Sequence, residues 1–258
     1  MEELAALLPY GQAILSGWFL VFIRIGAMMA LLPAFGEQSV PVRVKLGLAL
    51  AFSLVVAPAV LSSAPAPIGF LQMIGSGGAE TVAGLFLGIV LRLMIVALQI
   101  AGTIAAQSTS LSQLFGGSAG TDPQPAMGHL LVIGGLALAA ILGLHVKVAA
   151  FMIGSYQLIP IGQVISPQVV AEAGLARITS CFALGFTLAA PFVIASLIYN
   201  VTLGVINRAM PQLMVAFVGA PAITAGGLLL LTISAPIILS IWSGAFDAVL
   251  ADPFGGGG

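Results

Sequence analysis

The sequence predicts an all-α membrane protein, and three observations lead there. Of 258 residues, 60% are hydrophobic and only 6% are charged, whereas soluble domains carry about 25% charged residues. The mean hydropathy is +1.20. The apolar runs are continuous rather than alternating, and they far exceed the ~9–11 residues of a membrane barrel strand. So few charges cannot cover the surface of a soluble fold of this size, so lipid or a large protein partner must replace water. A crossing takes about 20 apolar residues, and on that measure the chain holds about six helical segments.

The charges mark where one segment gives way to the next. Leu4 to Ile23 is uncharged and forms the first. Pro58, Pro65 and Pro67 break the next long run, leaving a span of Val44 to Leu61 followed by a loop. The third span covers Gly78 to Ala105 and carries Arg92 inside it. A polar, glycine-rich stretch, Gln107 to Gln124, follows. The fourth span is Met127 to Ile153. Pro160 to Glu172 reads as a loop with a short helix. The fifth is Leu175 to Val205, with Pro191 within it, and the sixth is Pro211 to Ile241, interrupted by Pro221 and Pro236. The tail, Asp252 to Gly258, reads as short and flexible.

Charge and cysteine content exclude several roles. The formal net charge is -1 and the 7 Lys+Arg are scattered, so there is no basic patch for nucleic acid. Cys181 is the one cysteine and lies in an apolar run, where packing is its expected role. Met1-Glu2-Glu3 lacks the basic start of a cleaved signal peptide. Arg43, Lys45 and Arg208 flank connections, whereas Glu2 and Glu3 lie near one terminus and Asp247 and Asp252 near the other, so the positive-inside rule places those connections in the cytoplasm and both termini outside.

Five charges sit within or at the edges of apolar segments: Arg24, Glu80, Arg92, Lys147 and Arg177. A central charge costs about 2.5–3.5 kcal/mol on insertion scales, so such residues face protein or a watery cavity and pair. Glu80 and Arg92 are too far apart along one helix to be neighbours, which assigns their partners to other helices or other chains. An ion path would call for a denser set of acids and histidines. His129 and His145 lack the close companions of a metal site. Gly84 and Gly88 form a Gly-x-x-x-Gly, and Gly134, Gly135 and Gly143 repeat the theme of small residues that let helices pack closely. No nucleophile motif, zinc motif or phosphate loop is present. An enzyme is therefore not expected, nor is a cofactor or a metal.

Two stretches are more specific. One is Leu32-Pro33-Ala34-Phe35-Gly36-Glu37-Gln38-Ser39-Val40-Pro41-Val42-Arg43-Val44-Lys45, leading into Leu46-Gly47-Leu48-Ala49-Leu50. The other is Asn207-Arg208-Ala209-Met210-Pro211-Gln212-Leu213-Met214-Val215-Ala216-Phe217-Val218-Gly219-Ala220-Pro221, ending in Gly227-Leu228. With Phe22-Ile23-Arg24-Ile25-Gly26-Ala27-Met28 before them, these resemble the FliR family of flagellar export-gate subunits, which is related to the SctT subunits of virulence-type secretion systems. The resemblance covers nearly the whole chain, in order.

The resemblance implies a structural subunit of the flagellar type III protein export gate, in the bacterial inner membrane at the flagellar basal body. The implied partners are FliP-like and FliQ-like subunits, FlhB-like and FlhA-like export proteins, and the unfolded substrates that pass through the pore. It implies a single export-gate domain of kinked helical hairpins, in which residues 1–170 look like a FliP-like part and 171–258 like a FliQ-like part. The loop after the third segment looks like the family's pore plug. Here Leu111, Leu114 and Phe115 supply apolar bulk, while Gly116, Gly117 and Gly120 loosen the backbone. This chain departs from a Phe-Asp-Pro-like pattern by separating Phe115 from Asp122-Pro123. Arg24, Glu37, Arg43, Lys45, Glu80, Arg92 and Arg208 are the candidates for subunit contacts or ion pairs. Two alternatives stand beside this one: the equivalent subunit of a virulence system, and a small secondary transporter. In the transporter, Pro191, Pro221 and Pro236 would break helices around a site holding Arg24, Glu80 and Arg92.

Overall fold

The structure, a computed structural model, describes residues 2–37, 40–61, 69–109, 126–210 and 215–255. Every regular element among them is a helix: α1 Glu2–Met29, α2 Val42–Val60, α3 Phe70–Thr109, α4 Ala126–Ile141, α5 Leu144–Leu158, α6 Pro167–Ala209 and α7 Val215–Ala251. Five are long and apolar enough to cross a membrane, or up to six if α4 and α5 count as one bent span. The chain is therefore an all-α, multi-pass membrane protein. Its longest helices have 40 and 43 residues, about 60 Å or more at 1.5 Å per residue, which exceeds a hydrocarbon core of about 30 Å.

Local chemistry explains the boundaries. After α1 the chain turns through Pro33, Ala34 and Gly36. Ala34 has φ 66°, and a Cβ on Gly36 would stand 2.7 Å from the Ala30 carbonyl oxygen. Only glycine fits there. Pro41, at φ -58° and ψ 142°, precedes α2 without demanding an amide hydrogen. Proline likewise opens α6 at Pro167, where its missing N–H would have had no helical partner.

Four expectations need correction. The expected fourth span is two helices, α4 and α5, bent by 77°. Gly143 lies between them at φ +78°, a left-handed conformation that stops the helical ladder. Neither Pro221 nor Pro236 interrupts the last segment, because α7 continues through both. A proline removes one hydrogen bond and bends a helix, and in an apolar setting no water competes for the rest of the ladder. The short helix expected between Pro160 and Glu172 is the start of the long α6. The tail is not loose as far as Gly255. The amides of Phe254 and Gly255 donate to Asp252 Oδ1 at 3.1 and 2.9 Å, and the Phe254 ring stacks on Phe86 at 5.5 Å.

The chain divides into two compact units. Unit 1 comprises Met1–Leu93, Ala140–Arg177 and Phe246–Gly258; unit 2 comprises Met94–Ala139 and Ile178–Ala245. The core of unit 1 gathers Leu20, Ile25, Met28 and Leu32 with Leu87 and Leu91 of α3 and Met152 of α5. That of unit 2 gathers Ile95, Leu98 and Ala101 of α3 with Leu188, Phe192 and Trp242. Trp242 Nε1–H donates to the Met94 carbonyl at 2.8 Å, so the buried indole leaves no donor unused. Over its most apolar 18-residue stretch α3 is the most buried candidate span, at 61%, against 22% for the same length of α2 and 28% for each of α6 and α7.

Candidate functional site

The buried charges of unit 1 form a built polar centre. Arg24 of α1 and Glu80 of α3 are both fully buried. Arg24 Nε donates to Glu80 Oε2 at 2.6 Å and Nη2 donates to Oε1 at 3.1 Å, a bidentate pair. Arg24 Nη1 donates to the Ile159 carbonyl at 2.9 Å and reaches the Ser155 carbonyl at 3.4 Å. These carbonyls close the C-terminus of α5, whose partial negative charge suits a guanidinium. Glu80 Oε1 also accepts the Gly162 amide at 2.7 Å. Gly162 has φ +75°, and a Cβ there would crowd Ser76 Oγ at 3.0 Å. The Tyr156 ring covers the guanidinium, with Arg24 Cζ 3.9 Å from its centroid. One ion pair thus joins α1, α3, the end of α5 and the turn after it.

α1 and α3 approach closely enough for this contact because α3 carries glycine there. A Cβ on Gly84 would overlap the Arg24 carbonyl oxygen, and one on Gly88 would sit 3.0 Å from the Met28 carbonyl oxygen. The Gly84–Gly88 spacing has a defined use: it brings the backbone carrying Arg24 onto α3.

The other embedded charges are paired inside the chain as well. Arg92 Nη1 donates to Glu37 Oε1 at 2.6 Å with both side chains about one-third exposed, and Lys45 Nζ donates to the Gly36 carbonyl at 2.9 Å. Together these fix the Pro33–Pro41 connection to α3 and α2. Lys147 Nζ donates to both oxygens of Asp247 at 2.6 and 2.8 Å. Arg177 donates to the carbonyls of Pro253 and Asp252, which docks the tail. Arg43 and Arg208 are exposed. The plug candidates Leu111, Leu114, Phe115, Gly116 and Gly117 lie outside the described residues. His129 and His145 are exposed, Cys181 is buried, and no metal-holding cluster occurs among the described residues.

Sequence reasoning singled out Arg24, Glu80, Arg92 and Lys147 but not Tyr156 or Gly162, and it read Asp247 only as a topology signal. Gly162 had one visible hint, a glycine just after a proline at the end of an apolar segment. Nothing in the sequence marks Tyr156 as the face over a cation.

Among the described residues, unit 2 has no comparable charge centre. Apart from Asp122 and Arg208, every charged residue of the chain falls in unit 1. In its place are glycines at which neighbouring helices meet α3. A Cβ on Gly102 would overlap Gly128 Cα of α4. One on Gly185 of α6 would stand 2.8 Å from Ile100 Cγ2, and one on Gly227 of α7 would stand 2.6 Å from Thr109 Cγ2.

The model of the family described as bacterial export proteins, family 1, matches residues 15–249. That span reaches into both units, covers α2 to α6 whole, and includes most of α1 and α7. The chain belongs to this family. Among its relatives is the flagellar biosynthetic protein FliR of Caulobacter vibrioides, 34% identical over 242 residues that cover 90% of this chain and 93% of the relative. The FliR of Aquifex aeolicus is 28% identical and covers 88% of each chain. That of Escherichia coli is 26% identical, over 90% of this chain and 89% of the relative. For this family 1 member the matched segment contains Arg24, Glu80 and the glycine contacts of α3. It therefore contains the interior that holds each unit together.

Proposed function

We infer that the chain is a structural subunit of the flagellar protein export apparatus, in the bacterial inner membrane, with no catalytic role. The observation that carries this is the near full-length similarity to flagellar FliR proteins. The distribution of burial supports it. The most apolar stretch of α3 is largely buried within the chain, while α2, α6 and α7 leave most of their apolar surface open. Phe182, Phe186, Leu197 and Val201 of α6 and Leu229, Ile233 and Ile237 of α7 are among the exposed residues. Lipid or sister subunits must cover such faces.

The finer reading rests on the family resemblance. FliP-like and FliQ-like subunits pack beside this chain, FlhB-like and FlhA-like proteins join them, and unfolded substrates pass through the shared pore. Residues 1–170 form a FliP-like part and 171–258 a FliQ-like part. Leu111, Leu114 and Phe115, with the hinge glycines Gly116 and Gly117, close the pore. Arg43 and Arg208 make contacts with neighbouring subunits, as exposed cations on α2 and at the end of α6. The transporter reading is weakened because Arg24, Glu80 and Arg92 are already engaged inside the chain.

Deleting the gene in its host should abolish motility and the export of flagellar substrates, and expression in trans should restore both. Full motility in the deletion strain would overturn the reading. Deleting residues 111–120 should leave the protein in the membrane and raise ion leak. Unchanged conductance would remove the plug from the account.

A further inference from the structure

Lys147 and Asp247 stand on the wall of a cavity. A cleft of about 460 Å³ opens beside them, with apolar walls from Phe151, Leu158, Leu250 and Pro253. The two side chains remain 34% and 48% exposed despite their short contact. Arg24 and Glu80, by contrast, are sealed and have carbonyl and amide partners besides each other. Asp247 lies about one turn before α7 ends at Ala251. Beyond that end, the carbonyls of Asp252 and Pro253 are taken by Arg177. Charged and polar groups gathered at the end of an apolar helix mark the depth where hydrocarbon gives way to headgroups.

We propose that this cleft is a binding site for a zwitterionic phospholipid of the phosphoethanolamine type. The wall offers one ammonium and one carboxylate, and the headgroup carries one of each charge on a short covalent link. Lys147 Nζ has three donors, so it can donate to a phosphate oxygen while Asp247 accepts from the lipid ammonium. An exposed ion pair contributes little to stability, so opening it to admit the headgroup costs little. The apolar walls receive the start of the acyl chains. A phosphoglycerol headgroup carries the same phosphate charge but no ammonium to offset the carboxylate of Asp247. A phosphocholine headgroup has no N–H to donate to the carboxylate. The proposal is independent of the export reading.

The test uses the full chain, purified with whatever subunits accompany it and placed in nanodiscs of phosphoethanolamine, phosphoglycerol or phosphocholine lipid. Native mass spectrometry counts the lipid retained after release. One phosphoethanolamine lipid should remain, and neither of the other two should. Lys147→Gln and Asp247→Asn should each lower retention about tenfold, the size of one lost hydrogen bond to a charged group. Lys147→Arg should keep it. Circular dichroism and gel filtration of the same samples separate loss of the site from loss of fold. Equal retention of phosphoglycerol lipid, or undiminished retention in both neutral variants, would overturn the proposal. So would displacement of the lipid by soluble phosphoethanolamine, because the acyl chains would then contribute nothing.

Discussion

Arg24 in unit 1 and Gly102 in unit 2 show two ways of joining apolar helices without water to drive them together. Around Arg24 the joint is polar: a bidentate ion pair with Glu80, three backbone partners and an aromatic face. Around Gly102 the joint is steric: the backbones of α3 and α4 come within van der Waals contact because neither Gly102 nor Gly128 has a side chain. Hydrophobicity gives little drive between helices in lipid, so packing, hydrogen bonds and ion pairs take its place. A polar joint is directional and fails when one partner is lost. A glycine joint is short-ranged and fails when anything is added. Loss of a charged partner should therefore harm unit 1, whereas filling a glycine should harm both units, since Gly84 and Gly88 also seat α1 on α3.

The largest expected effect comes from breaking the polar joint. Arg24→Ala or Glu80→Ala leaves the other charge buried and unpaired, at a cost of about 3–5 kcal/mol. Fluorescence-detected gel filtration of membranes should show the protein lost or aggregated. A monodisperse Glu80→Ala variant at normal yield would remove the polar joint from the account. Filling the steric joint comes next. Gly102→Val should cost roughly 1–3 kcal/mol or more through overpacking, seen as a lower melting temperature in detergent. Arg24 and Glu80 should tolerate no such truncation, while truncations in unit 2 beside these glycines should be mild by comparison.

How far these joints were legible in the sequence follows from their range. The helices themselves were readable because continuous apolar runs with few charges allow nothing else. Arg24 and Glu80 stood out as charges in apolar segments, but a sequence separation of 56 carries no sign that they meet. Lys147 and Asp247 are 100 residues apart, and Asp247 looked like a terminal acid. Gly84 and Gly88 were visible as a pair on one helix. Gly102 and Gly128 belong to different helices, and no local pattern links them. Gly143 was noted as a small packing residue, whereas its positive φ makes it a breaker. Apolar periodicity cannot distinguish those two uses. Pro221 and Pro236 misled because proline rules learned in water overstate its power to end a helix in an apolar setting.

Smaller effects sharpen the comparison further. Glu37→Gln should cost at most about 1 kcal/mol, since its pair with Arg92 is partly exposed; thermal unfolding at low and high salt should show the difference shrinking with screening. The smallest effect on the isolated chain belongs to Arg43→Ala and Arg208→Ala, both exposed, with changes within about 0.5 kcal/mol. Those same substitutions should lower the yield of the assembled complex. An effect on the isolated chain that exceeds the effect on assembly would return both arginines to an internal role.

The most direct measurement is purification of the native complex through an affinity tag on this chain, followed by cryo-electron microscopy. The expected result is that FliP-like and FliQ-like subunits copurify, that α6 and α7 lie against them or against lipid, and that the Arg24–Glu80 pair is intact. A chain that purifies alone as a monodisperse protein, with substrate-dependent uptake in liposomes, would contradict it.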